Sequence, residues 1–143
     1  MGGNRARQRA RLRPAAKIKR PVVLDASFLI ALEREVAAGQ PGSATAFLPQ
    51  LRGRPLVVSV VTVAEILEGA ADEAAALTSL HRFSVQGLHL PHAQRCAGVQ
   101  RRAPKRLGDN DAWLVATALT LDAEVVGQDR AAFERLGERY LRF

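Results

Sequence analysis

"RPLVVSVVTVAEILEGA", residues 54–70, changes period halfway along its length. Leu56 to Val61 form a continuous, largely β-branched run that reads as a buried strand. Thr62, with Glu65 three residues later, then matches the capping box that opens a helix. Gly69 stops or interrupts that helix. A strand that is apolar on both faces and leads at once into a helix belongs to a parallel sheet covered on both sides.

The same order recurs along the chain. Val22 to Leu24 read as a short buried strand, and Ser27 to Glu35 follow helical spacing with Phe28, Leu29, Leu32 and Val36 on one side. "AAGQPGS", residues 37–43, is a turn, and Ser43 is placed to cap a second helix that Pro49 kinks or ends. "DEAAALTSLHRF" reads as a helix and "SVQGLHL" as an extended or loop segment, and "PHAQRCAGVQRRA" suits a helix opened by Pro91. "LGDNDAWLVATALTL", residues 107–121, reads as a buried helix. "AEVVGQD" follows as a strand, "RAAFERLGE" as a helix and "YLRF" as a last strand. The fold class is α/β: a short parallel sheet of about four or five strands flanked by helices, with no internal repeat.

At 143 residues with 48% apolar content, the chain is sized for one domain with a real core. The formal charge of +7 is unevenly placed. Residues 1–20, "MGGNRARQRARLRPAAKIKR", hold eight basic residues and no acid. The remaining 13 basic residues stand against 14 acids, so the body, residues 21–143, is close to neutral. The basic stretch has almost no apolar side chains to offset its ordering entropy and reads as a disordered tail. It suits sequence-independent binding of polyanions; an over-extended reading frame, a targeting leader or a solubilising arm explain it equally. Asp25 interrupts "PVVLDASFLIAL", which argues against both a spanning helix and a signal peptide. A single cysteine, Cys96, has no partner for a disulfide or a cysteine-based zinc site, and a reducing cytoplasm is the expected compartment.

Four acids fall at junctions between elements. Asp25 ends the first strand, Glu65 lies in the first turn after the second, Asp111 opens the buried helix and Asp129 ends a third strand. Each has a purely structural explanation as a helix cap or a complement to the helix dipole. In a parallel sheet, however, the carboxyl ends of the strands share one edge, where the following helices begin. Carboxylates gathered there repel one another, so that either their pKa values rise or a cation neutralises them. An all-oxygen donor set without histidine or cysteine suits a hard ion, Mg²⁺ or Mn²⁺, which prefers phosphate substrates.

Four runs carry a resemblance: D-x-S-x-L-I at Asp25, T-V-A-E-I-L-E-G around Glu65, N-D-x-x-L-V-A-T-A-L at Asp111 and V-V-x-x-D-x-x-x-F at Asp129. In this order and spacing, over residues 22–143, they resemble the PIN domain, and most of all the VapC-type toxin ribonucleases of toxin–antitoxin pairs. The resemblance implies a three-layer sandwich and a Mg²⁺- or Mn²⁺-dependent endoribonuclease. It further implies that Asp25, Glu65, Asp111 and Asp129 are the acidic metal-binding and catalytic residues, with Ser27 as a hydroxyl close by. A cognate antitoxin and a homodimer are implied as partners, with no membrane. This chain departs from the pattern at two places. Gly127, followed by Gln128, stands where a hydroxyl residue is common, and Ala132 stands where another acid is frequent.

Around these acids, Arg101, Arg102, Lys105 and Arg106 form a basic stretch that reads either as a rim guiding RNA or as an ordinary cationic helix end. Asp109 is read as the helix cap or a peripheral metal contact. Trp113, Phe28, Phe47 and Phe83 read as packing, Cys96 as an inert half-buried thiol, and His81, His89 and His92 as surface or core residues without metal-ligand spacing. Two rival readings remain: a non-catalytic PIN module that binds RNA or protein, and a phosphatase or phosphotransferase with Asp25 as nucleophile. The latter chemistry wants a second acid two positions on, where this chain has Ser27.

Overall fold

The computed structural model describes residues 19–143. Residues 1–18 of the expected tail lie outside the described residues. Lys19 and Arg20, at its end, already rest on the domain. The Lys19 ammonium donates to the Arg52 carbonyl at 3.4 Å, and the Arg20 carbonyl accepts from the Arg54 guanidinium at 2.9 Å. Arg54 also forms a half-buried ion pair with Glu124, tying together the entrances of three strands.

Five strands make one sheet: β1 Val22–Leu24, β2 Leu56–Ser59, β3 Ser84–Gln86, β4 Glu124–Gly127 and β5 Tyr140–Arg142. Their order is β3-β2-β1-β4-β5, and every neighbouring pair is parallel. Register is set by Val22 opposite Leu56 on one side and Glu124 on the other. Because side chains alternate along a strand, the central β1 feeds both layers. Val22 and Leu24 enter a core with Phe28, Leu32 and Phe47, while Val23 joins Val57, Val115, Val125 and Phe133 on the opposite face. All three β1 residues are fully buried. Helices therefore cover both faces, as the continuous apolar strands imply. The three-layer α/β sandwich and the strand number agree with the reading of the sequence.

On one face lie α1 (Ala26–Ala38), α2 (Ser43–Leu51) and α3 (Val60–Gly69), followed by α4 (Glu73–Leu80). On the other lie α5 (Leu90–Arg102) and α6 (Asp109–Leu121), packed against each other, and then the short α7 (Arg130–Phe133) with a 3-10 segment over Glu134–Arg139.

The helix starts differ from expectation in an instructive way. α3 begins at Val60, two residues before Thr62, because the buried Ser59 hydroxyl accepts the Val61 N–H at 3.2 Å and caps the helix. The β-branched run Val60–Val61 looked like strand, but a satisfied cap outweighs that weak preference. Thr62 is consequently buried inside the helix, and Glu65, its sixth residue, belongs to no capping box. Ser59→Ala is expected to lower stability by about 1 kcal/mol, read as a shift in the urea unfolding midpoint; an unchanged midpoint would show that the Ser59 hydroxyl does not stabilise the start of α3.

α2 starts from Gly42, and Ser43 does not cap it. The cap comes from α1: the Glu35 carboxylate accepts N–H bonds from Gly42 (2.5 Å), Ala44 (3.1 Å) and Thr45 (2.9 Å). Those donors, Thr45 first, hold the Glu35 carboxyl below its ordinary value. Gly39, with φ +63°, closes α1 in the left-handed region and turns the chain so that Glu35 can reach. Pro49 sits inside α2, which runs on to Leu51. Val36 is 71% exposed, so the buried stripe of α1 is formed by Ala26, Phe28, Leu29 and Leu32.

α5 begins at Leu90, one residue before Pro91, and the buried His92 accepts the His89 N–H through Nδ1 at 3.1 Å. His81 and His89 are exposed, and Trp113, read as a packing residue, is half-buried.

Candidate active site

Asp25 stands directly after β1. Its N–H donates to the Val126 carbonyl at 2.9 Å, fastening the end of β1 to β4. Its Oδ2 accepts the Ser27 N–H at 3.2 Å and the Ser27 hydroxyl at 2.5 Å, which makes Asp25 the cap of α1. Asp129 follows β4 and caps α7, its Oδ1 accepting the Ala132 N–H at 3.1 Å. The structural explanation of these two acids is therefore correct as far as it goes, yet each cap uses one carboxylate oxygen and leaves the other.

Asp111 and Glu65 cap nothing. Asp111 is the third residue of α6, whose N-cap is Gly108 without any side-chain bond. Burial pushes the Asp111 carboxyl up to about 6, and the negative charges of Asp129 and then Asp25 push it the same way. Burial likewise raises Glu65, followed by the charges of Asp25 and Asp111, while a hydrogen bond from the Asn110 side chain opposes the rise. Four elements far apart in sequence thus deliver acids that feel one another at the carboxyl edge of the sheet. Asp25 and Asp111 are the shared members. Among the described residues, no three acid, histidine or cysteine side chains already stand close enough to enclose an ion.

Asp111 and Asp129 line one cavity of ≈ 360 Å³ together with Lys105, Arg106 and Arg135. Glu65 faces a separate groove of ≈ 580 Å³ between α1, α3 and α4, so it approaches the acids from another side. Of the expected basic rim, Lys105 and Arg106 reach the acidic cavity, whereas Arg102 lines a neighbouring one and Arg101 lines neither. Arg106 pairs with Asp109 at 2.7 Å. Asp109 is the first residue of α6 and makes no cap, because Gly108 holds that position.

Two contributors escaped the sequence reading. Arg135 lies in an amphipathic helix signal and carried no motif. Asn110 was visible only as the middle of "GDND", with nothing to show that its amide reaches Glu65. Gly127 has a local reason: a β-carbon there would stand 2.9 Å from the Phe133 ring and 3.2 Å from the Asp25 β-carbon. Cys96 is half-buried, and burial raises its thiol, which makes it a poor nucleophile.

The fold and this edge define a class: a doubly covered parallel α/β domain whose strand ends carry an acidic cleft with a basic rim. The chain belongs to the PIN domain family, whose model matches residues 22–139. PIN domains are in general nucleases, and those of this kind generally use a divalent metal. No curated protein matches the chain by sequence. Several solved structures share its fold. A toxin–antitoxin complex from Klebsiella pneumoniae is 20% identical with a TM-score of 0.69, over 84% of this chain and 95% of that one. DNA-bound VapBC from Salmonella typhimurium is 18% identical with a TM-score of 0.65, over 87% and 98%. FitAcB from Neisseria gonorrhoeae is 20% identical with a TM-score of 0.64, over 85% and 96%. Among the described residues no helix is long and apolar enough to cross a membrane.

Proposed function

We infer that this chain is a divalent-metal-dependent endoribonuclease and the toxin of a toxin–antitoxin pair, acting in the cytoplasm. The observation that carries the reading is the gathering of Asp25, Glu65, Asp111 and Asp129 at the carboxyl edge of the sheet, where burial first, and then the charges of neighbouring acids, raise Glu65 and bring Asp111 up to about 6. Carboxylates so placed gain from a cation, and their oxygen-only chemistry fits Mg²⁺ or Mn²⁺. Asp25 and Asp111 would hold it, with Glu65 and Asp129 completing the donor set. When bound, such an ion lowers the pKa of a water and offsets the charge of a phosphodiester in displacement.

The remaining work falls to the chain itself. Ser27 donates to one oxygen of Asp25 and so fixes the direction of the other. The Asn110 side chain favours the ionised form of Glu65. Lys105, Arg106 and Arg135 stand on the walls of the acidic cavity and counter the repulsion between its acids and an RNA backbone. Arg102 and Arg101 extend that basic edge along the end of α5. Asp109 serves by holding Arg106. Such a toxin would pair with an antitoxin, as the Klebsiella structure does by its description, and would form a homodimer.

Wild-type protein should cleave RNA with Mg²⁺ or Mn²⁺, and both chelator and Asp25→Asn should abolish cleavage while circular dichroism shows an intact fold. The spacing of the acids, no three of which are yet within reach of one ion, favours one rival, a non-catalytic RNA- or protein-binding module. Cleavage that ignores chelator would remove the metal from the mechanism, and its complete absence would select the rival. Co-purification with the product of the adjacent small gene tests the antitoxin.

A further inference from the structure

Beside the acidic cleft lies a second cavity of ≈ 460 Å³, separated from it only by Pro104, Glu134 and Arg135, which line both. Its inner wall is apolar, built by Val99 of α5, Val115 and Leu119 of α6 and Leu136 of the 3-10 segment. Its mouth is charged. Arg102 and Arg135 stand at it, and among the described residues neither is in an ion pair. Gly98 makes room for Arg102: a β-carbon there would come within 3.0 Å of a guanidinium nitrogen, so the arginine lies close against the α5 backbone. Glu134 adds an acceptor, with one oxygen held by Arg130 at 3.4 Å.

An apolar slot edged by guanidinium planes and one carboxylate is matched to a flat heteroaromatic group with donor edges. Nucleobases in single strands are bound by such stacking and edge bonding. The volume lies in the range for small-molecule sites and exceeds what a phosphate or an ion alone would fill. Position points to the same class of ligand, since the shared wall puts the slot next to the cations that would hold a phosphate.

The geometry points to this cavity as a subsite for one unstacked base of a single-stranded RNA, adjacent to the phosphate held at the acidic cleft. The inference rests on the ribonuclease reading and deepens it: the substrate class is a strand with a splayed base, and Leu119, Arg102 and Glu134 select that base. Leu119 is half-buried and supplies the replaceable part of the wall, whereas Val99 and Val115 are core residues.

The test is a binding measurement that needs no turnover. The full chain carrying Asp111→Asn is titrated with a short labelled oligoadenylate and with an abasic ribose-phosphate strand of equal length. Base-bearing RNA should bind on the order of tenfold tighter. Leu119→Trp, which fills the slot, should bring that affinity down to the abasic level and leave abasic binding unchanged, with folding checked by thermal melting. Should Leu119→Trp not fold, Arg102→Ala takes its place and should erase most of the preference. Equal binding of the two strands, or a preference that survives in the folded variant, overturns the subsite; that is also the outcome if the cavity instead takes an apolar side chain of a protein partner. Metal-dependent cleavage by the wild type, measured separately, decides the ribonuclease reading, so the two can fail independently.

Discussion

Asp111→Asn should abolish RNA cleavage, by roughly a hundredfold or more, and in the same protein raise thermal stability near neutral pH. The two effects share a cause. Burial and the charges of Asp129 and Asp25 hold the Asp111 carboxyl at about 6, against an ordinary 3.8. The folded state therefore keeps a proton that the unfolded chain has already released across this window. Stability is complete below pH 3.8 and falls as pH rises through about 6, because the folded chain must then carry an ionised carboxylate among others. Asparagine removes that charge. Since the carboxyl is only partly shielded from water, screening reduces the gain to about 1–2 kcal/mol. The measurement is a pair of unfolding curves in chelator from acid to neutral pH. The variant and wild type should coincide at the acid end and separate as pH rises toward 6.5, with the variant more stable above. Adding Mg²⁺ should then stabilise the wild type more than the variant, because an ion that binds only the folded acids shifts the equilibrium by mass action. A constant difference at all pH values would show that Asp111 is strained by packing and not by charge.

Gly127→Ser, which supplies the hydroxyl residue common at this place in the family, should destabilise this chain by about 1–3 kcal/mol and impair cleavage. The added β-carbon would stand 2.9 Å from the Phe133 ring and 3.2 Å from the Asp25 β-carbon. Phe133 is fully buried and packs on Tyr140, with ring centroids 5.8 Å apart, so the ring has little room to give. The residue that can yield is Asp25, and its displacement moves a carboxylate away from Asp111. Phe133→Leu is costly alone, yet in combination with Gly127→Ser it should restore part of the loss. A double-mutant cycle in urea reads this as a coupling between neighbours. Strict additivity would place the conflict elsewhere.

The sheet was legible because its strands are so short and so apolar. Val22–Leu24 and Val125–Val126 admit no face that water could touch, and the helices that follow them at once leave only a parallel arrangement. β3 was less legible, since Ser84–Gln86 is an edge strand with Val85 half-exposed and carries no periodic signal. Helix starts were the weakest part. The side chain that caps α2, Glu35, lies in a different helix, and no local pattern can show a cap delivered through space. At α3, by contrast, the serine was present in the sequence and a β-branched run hid it.

Sequence alone determined the α/β class, the family, and the junctions at Asp25, Asp111 and Asp129, because strand and helix periods and the order of motifs are local properties of the chain; Glu65 instead lies in the second turn of α3. Which acids are bound in caps and which are left under mutual repulsion was decided only by tertiary structure. Asp25 and Asp129 each give one oxygen to a helix, whereas Asp111 and Glu65 give none and carry the raised pKa values. The cavity next to them is likewise assembled from α5, α6 and the 3-10 segment, pieces that meet only when the sheet is closed over. Electrostatic repulsion and enclosed volume depend on distances through space, and those exist only once the chain has folded.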